Sequence, residues 1–153
     1  MGEEKIIMEF KPLTSEDQPK VRFLVVDDSV FARKNLCKMV QAFGGEIAGE
    51  AGDGIAAIAE YANTHPDIVL MDITMPKMEG IEAVEHIVRD HPEARIVMVS
   101  SVGYQDNILS ALQKGARHFV QKPVKPEALY EIIRYVLNDQ VAPEPATAGE
   151  IQS

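Results

Sequence analysis

The chain has 153 residues, 46% of them apolar and 25% charged, which fits a single globular domain with some tail. A formal net charge of −9 argues against duplex nucleic acid or an anionic membrane as partner, because phosphate binding needs clustered Lys and Arg. The lone cysteine, Cys37, rules out an internal disulfide and fits a reducing cytosol, and no apolar run reaches the length of a membrane span.

Residues 1–20 mix charges with scattered apolar residues and end in TSEDQPK, which reads as a flexible or loosely packed arm. The stretch lacks the apolar core of a signal peptide, and Ile6 stands where a myristoylation signal needs Ser or Thr. A first strand is predicted at 22–27 (RFLVVD). It is followed by a helix over 29–43, whose stripe is Val30, Phe31, Leu36, Met39, Val40 and Phe43 and whose stop is Gly44-Gly45. A second strand falls at 46–50, and Asp53 is placed to cap a helix over 54–63. A third strand at 67–71 (DIVLM) leads to a helix over 80–90, and a fourth at 95–99 (RIVMV) leads to one over 105–114 that Gly115 ends. A fifth strand at 117–121 precedes a helix over 126–138 that opens on Pro126. The last residues, VAPEPATAGEIQS, are rich in Pro, Ala and Glu, and 140–153 reads as a disordered tail.

Five strands alternating with five helices imply an α/β fold with right-handed crossovers and a parallel sheet covered on both faces. The runs 23–26 and 68–71 are continuously apolar, as strands buried on both faces should be. Periodicity does not fix the strand order. It does direct attention to the carboxyl ends of the strands, where sites of open α/β sheets lie.

Four of those five ends carry chemically useful groups: Asp27, Asp28 and Ser29; then Asp72; then Ser100 and Ser101; then Lys122. Each has a plain reading on its own. The aspartate pair could cap a helix, Lys122 could be a solvated lysine, and Phe119 could be core. Together they point elsewhere. Three carboxylates at one point call for a cation, and Mg²⁺, which prefers carboxylate and carbonyl oxygens, suits them; Mn²⁺ is the alternative. A carboxylate can also take a phosphoryl group, with a metal, a lysine and a hydroxyl neutralising the transferred oxygens. Asp72, alone at its strand end, is the better nucleophile; Asp27 and Asp28 are better suited to holding the ion.

The stretches LVVDDS, DIVLMDITMPKMEG, VMVSS and GARHFVQKP, in this order and spacing, resemble the receiver domain of two-component response regulators, particularly the CheY-like chemotaxis type. The resemblance spans about residues 21–139 and implies a flavodoxin-like (βα)5 sheet of strand order 2-1-3-4-5. It implies Asp72 as phosphoacceptor. Asp28, Asp72 and the backbone carbonyl of Thr74 would be metal ligands, with Asp27 acting through water. Lys122 would sit on the phosphoryl group before a cis bond to Pro123. Ser100 and Phe119 would form the switch, with Phe119 in place of the commoner Tyr and Ser100 in place of Thr. Thr74 and Val102, which occupy the positions that tune phosphoryl lifetime, suggest a moderate one.

The implied activity is self-catalysed transfer from a sensor histidine kinase, slow autodephosphorylation, and an output face of fourth helix, fifth strand and fifth helix. The output partner would be a protein such as a flagellar motor switch component. The setting would be cytoplasmic and the protein a monomer, with a dimer through that face as the alternative. Other readings are the receiver portion of a chemotaxis methylesterase, and a phosphate sink or pseudo-receiver. An aspartate-nucleophile phosphatase lacks its D-x-D start, and a flavodoxin would need a phosphate-binding loop where this chain is acidic.

Overall fold

The computed structural model describes residues 10–13, 20–73, 75, 78–101 and 105–138. Along the chain the elements are β1 (Arg22–Val26), α1 (Val30–Ala42), β2 (Glu46–Ala51), α2 (Gly54–Thr64), β3 (Ile68–Asp72), α3 (Gly80–Asp90), β4 (Ile96–Ser100), α4 (Gln105–Gln113), β5 (His118–Gln121) and α5 (Pro126–Asn138). The sheet order is β2-β1-β3-β4-β5, and every pairing is parallel. This is the expected 2-1-3-4-5 order, with each predicted strand present to within a residue or so.

The central strands β3 and β4 are buried at every position, and β1 at all but its first. Burial on both faces is why these runs carry no polar alternation. One face packs on α1 and α5 through Phe23, Val25, Leu70, Leu36, Leu129 and Ile133. The other packs on α2, α3 and α4 through Leu24, Val69, Met98, Ala57, Val84 and Ala111.

Local sequence sets the helix starts. Ser29 caps α1, its hydroxyl accepting from the Ala32 amide at 3.1 Å, so neither Asp27 nor Asp28 does that task. Asp53 caps α2 as its sequence position suggested, accepting from the Ala56 amide at 2.8 Å. Among the described residues no helix is long and apolar enough to cross a membrane.

The stretch read as a loose arm is partly docked. Leu13 is buried, and its amide donates to the Phe43 carbonyl at 2.9 Å. Tyr130 donates its hydroxyl to the Lys11 carbonyl at 2.7 Å. The Phe10 ring lies 4.8 Å from Phe43 and 4.7 Å from Tyr130. Gly44, at φ +85°, lets the chain turn beneath Pro12; a Cβ there would come within 3.0 Å of the proline side chain. The remainder of 1–20 and the predicted tail at 140–153 lie outside the described residues.

Candidate functional site

The register assembles the site. Val26 of β1 pairs with Met71 of β3, so Asp27 and Asp72 are the next residues on adjacent strands. Asp72 pairs with Val99, which brings Ser100 one step further along β4; Ser100 pairs with Gln121, and Lys122 follows. The chain leaves β1 for β2 on one side and crosses to β3 on the other. The crevice between β1 and β3 is therefore the topological switch point where ligands of such sheets sit.

Carboxylate oxygens of Asp27, Asp28 and Asp72 all lie within 4.8 Å of one another. Asp27 is fully buried, Asp72 is 7% exposed, and Asp28 is open to solvent. Lys122 reaches in from the loop after β5, with Nζ 3.3 Å from Asp27 Oδ2 and 3.5 Å from Asp72 Oδ1. The Lys122–Pro123 bond is cis. Ser100 is buried and its hydroxyl donates to the Ser101 carbonyl at 3.0 Å. Phe119 is half-buried on β5, packed against the α2–α4 side of the core. Thr74 and Val102 lie outside the described residues.

The electrostatics are those of an under-neutralised acidic pocket. Burial, then the Asp27 charge, pushes the Asp72 carboxyl up to about 6 against the pull of Lys122. Burial works against the charge on Lys122, yet Asp72 and Asp27 together raise its pKa. One ammonium thus serves two buried carboxylates, with a third at the mouth. A hard divalent cation fits this donor set: all-oxygen, carboxylate-rich and open on one side so that waters complete the shell.

Two supporting features were not picked out from the sequence. Gly80 opens α3 directly above the Asp72 backbone, and a Cβ there would collide with the Asp72 carbonyl oxygen. Gly80 donates its amide to the Ile73 carbonyl at 2.8 Å, which ties the start of α3 to the end of β3. The second feature is Arg33 on α1, which donates through NH1 to the Asp27 carbonyl at 2.8 Å. The glycine could have been suspected from its place at a helix start following DITMPKME. The arginine gives no comparable signal.

Residues 23–134 match the response regulator receiver domain family. The chain belongs to that family. It is 41% identical over 115 residues to the chemotaxis protein CheY of Thermotoga maritima, covering 75% of this chain and 96% of the relative. It is 39% identical over 117 residues to CheY of Bacillus subtilis, covering 76% and 98%. Among solved structures it resembles a chain of a CheX–CheY–BeF3–Mg²⁺ complex from Borrelia burgdorferi. There the TM-score is 0.78 and the identity 34%, over 82% of this chain and 96% of that one. The chain is thus a phospho-accepting response regulator of two-component signalling, which implies a histidine kinase as phosphodonor and a downstream target. Its acidic pocket fits the Mg²⁺ that receivers of this family use.

Proposed function

We propose that this receiver is a chemotaxis-type switch that accepts its phosphoryl group on Asp72. The observation that carries the assignment is the carboxylate of Asp72. It is buried, stands within 4.8 Å of the Asp27 and Asp28 carboxylates, and lies 3.5 Å from Lys122 Nζ. An Asp72 carboxylate oxygen attacks the phosphorus of a phosphohistidine. The P–N bond breaks, the imidazole leaves with its electron pair, and an aspartyl phosphate remains.

Asp28, Asp72 and the Thr74 backbone carbonyl are assigned as direct metal ligands, with Asp27 acting through water. Mg²⁺, or Mn²⁺ in its place, when bound neutralises charge on the transferred phosphoryl oxygens. Lys122, already between Asp27 and Asp72, is aimed at the same oxygens. Ser100 turns its hydroxyl from the Ser101 carbonyl to the phosphoryl group, and Phe119 moves with it.

Output is assigned to the face formed by α4, β5 and α5, where Leu109 and Tyr135 are about half exposed. A flagellar motor switch component is the partner this reading names, in a cytoplasmic setting, with the protein monomeric; a dimer through the same face is the alternative. The near full-length matches to chemotaxis proteins named CheY do not favour the methylesterase-portion or phosphate-sink readings.

The test is intact mass after incubation with acetyl phosphate and Mg²⁺, beside Asp72→Asn and a metal-free control. One phosphoryl adduct is expected on the wild type, and none on the variant or without metal. An adduct that persists on Asp72→Asn would reassign the nucleophile.

A further inference from the structure

Every polar group of Asp27 is held. Its amide donates to the Ala51 carbonyl of β2 at 3.1 Å, and Oδ1 accepts from the Ser29 amide at 2.9 Å. Oδ2 accepts from Lys122 at 3.3 Å, and the carbonyl accepts from Arg33 NH1 at 2.8 Å. Arg33 is itself fixed, with Nε 2.9 Å from Glu50 Oε1 on β2. Its side chain is 17% exposed, so this is an ordered, partly desolvated contact. The same guanidinium lies beside Gly52 in the turn after β2. One planar fork therefore spans α1, β2 and the loop that carries Asp27 and Asp28.

A guanidinium behind three carboxylates poses a problem. By charge alone it should weaken cation binding in front of them. Glu50 resolves it. Burial works against the Glu50 charge, but hydrogen bonds from Arg33 and Lys34 hold its carboxyl below the usual range, so it stays ionised. The pair delivers a directional hydrogen bond to the Asp27 carbonyl with little net charge.

We propose that Arg33, clamped by Glu50, is a positioning residue that fixes the Asp27–Asp28 loop in its metal-binding conformation. It touches neither the metal nor the phosphoryl group; it acts through the backbone of Asp27. The clamp rests on the acidic cluster being the Mg²⁺ site.

The sign of one effect tests it. Coulomb's law predicts that deleting a cation near three carboxylates tightens Mg²⁺ binding. Loss of a positioning clamp predicts that it loosens. Mg²⁺ affinity is measured by titration calorimetry on the wild type, Arg33→Ala, Arg33→Lys, Glu50→Gln and Lys34→Ala. Thermal unfolding without metal confirms that each is folded.

Arg33→Ala is expected to weaken Mg²⁺ binding about tenfold, the order lost with a hydrogen bond from a charged donor. Arg33→Lys keeps the charge but not the fork, and is expected to weaken it at least threefold. Glu50→Gln frees the arginine and is also expected to weaken it. Lys34→Ala, which shares Glu50 but makes no contact with Asp27, is expected to stay within about twofold. Labelling of Arg33→Ala by acetyl phosphate should recover to within about threefold at saturating Mg²⁺.

Wild-type affinity in Arg33→Ala, or tighter binding, would overturn the clamp alone, as would full retention in Arg33→Lys. Should Arg33→Ala not fold, the Arg33→Lys result, in which the charge is kept and only the fork is lost, decides in the same sense. A wild type that binds no Mg²⁺ would overturn the metal-site reading and the clamp with it.

Discussion

Asp72 pays a standing electrostatic cost that the fold does not relieve without a cation. Its carboxyl is pushed up to about 6, from an ordinary 3.8, first by burial and then by Asp27. Between these values the folded chain holds more protons than the unfolded one. Stability contributed by this group therefore falls as pH rises through that window, and the penalty is fully present above it. Replacing Asp72 by Asn removes the charge and keeps the shape. Without metal at pH 7, Asp72→Asn is expected to be more stable than the wild type by roughly 1–3 kcal/mol, the order that the raised carboxyl implies. The advantage should shrink as pH falls from 6 toward 4, because the wild-type carboxyl then protonates. Urea unfolding of both proteins at pH 7, 5.5 and 4 checks this. An equal gap at all three would mean that side-chain shape, not charge, separates them. Saturating Mg²⁺ should narrow the gap at pH 7 by stabilising the wild type more.

At the scale of the element, α1 carries two tasks on two of its faces. Arg33 turns inward to the acidic loop, while Val30 and Phe31 stand in the first turn, 59% and 83% exposed. Solvated apolar side chains contribute little to folding, so their place just past the Ser29 cap, beside the acidic loop, suggests contact with whatever delivers the phosphoryl group. Phe31→Ala is expected to change stability by less than about 0.5 kcal/mol and to leave labelling by acetyl phosphate within twofold. Transfer from a phosphorylated kinase domain should slow several-fold, and a stopped mixing series separates the two donors. Kinase transfer at the wild-type rate would remove Phe31 from the donor surface. The elements themselves were legible because β1, β3 and β4 carry unbroken apolar runs and the helices repeat apolar residues at helical spacing, two of them stopped by glycine. The carboxylates, Ser100 and Lys122 were legible because they directly follow those runs. Arg33–Glu50 was not: the pair is 17 residues apart on different elements, and neither residue interrupts a pattern. The close approach of Gly80 to the Asp72 carbonyl was hidden for a similar reason, since sequence shows a glycine but not the backbone that crosses it.

On the scale of the whole molecule, the family match begins at residue 23, yet the packed body includes residues before it. Phe10 closes a ring cluster with Phe43 and Tyr130, whose own rings are 5.2 Å apart, and Leu13 is 4% exposed. Residues 1–20, mixed in charge and without periodicity, gave no hint of this, because the partners lie at the far end of α1 and within α5. Burying one leucine is worth roughly 1.5–3 kcal/mol and an aromatic pair about 0.5–1.5. Ordering four residues opposes this at about 1–2 kcal/mol each, offset in part by the two hydrogen bonds from Leu13 and Tyr130. The balance is small, so the strap is expected to matter for stability rather than for folding itself. A chain starting at residue 14 exposes Phe43 and Tyr130 and should melt about 5 °C lower. Its labelling by acetyl phosphate should stay within twofold, because the strap meets α1 at the end opposite Ser29, and a helix of 13 residues puts about 20 Å between them. Unfolding curves and labelling rates on the same preparation give both answers. An unchanged melting point would mean that the docked residues add no net stability. A labelling rate tenfold lower in a fully folded truncation would mean that the two ends of α1 are coupled, and that the strap belongs to the switch.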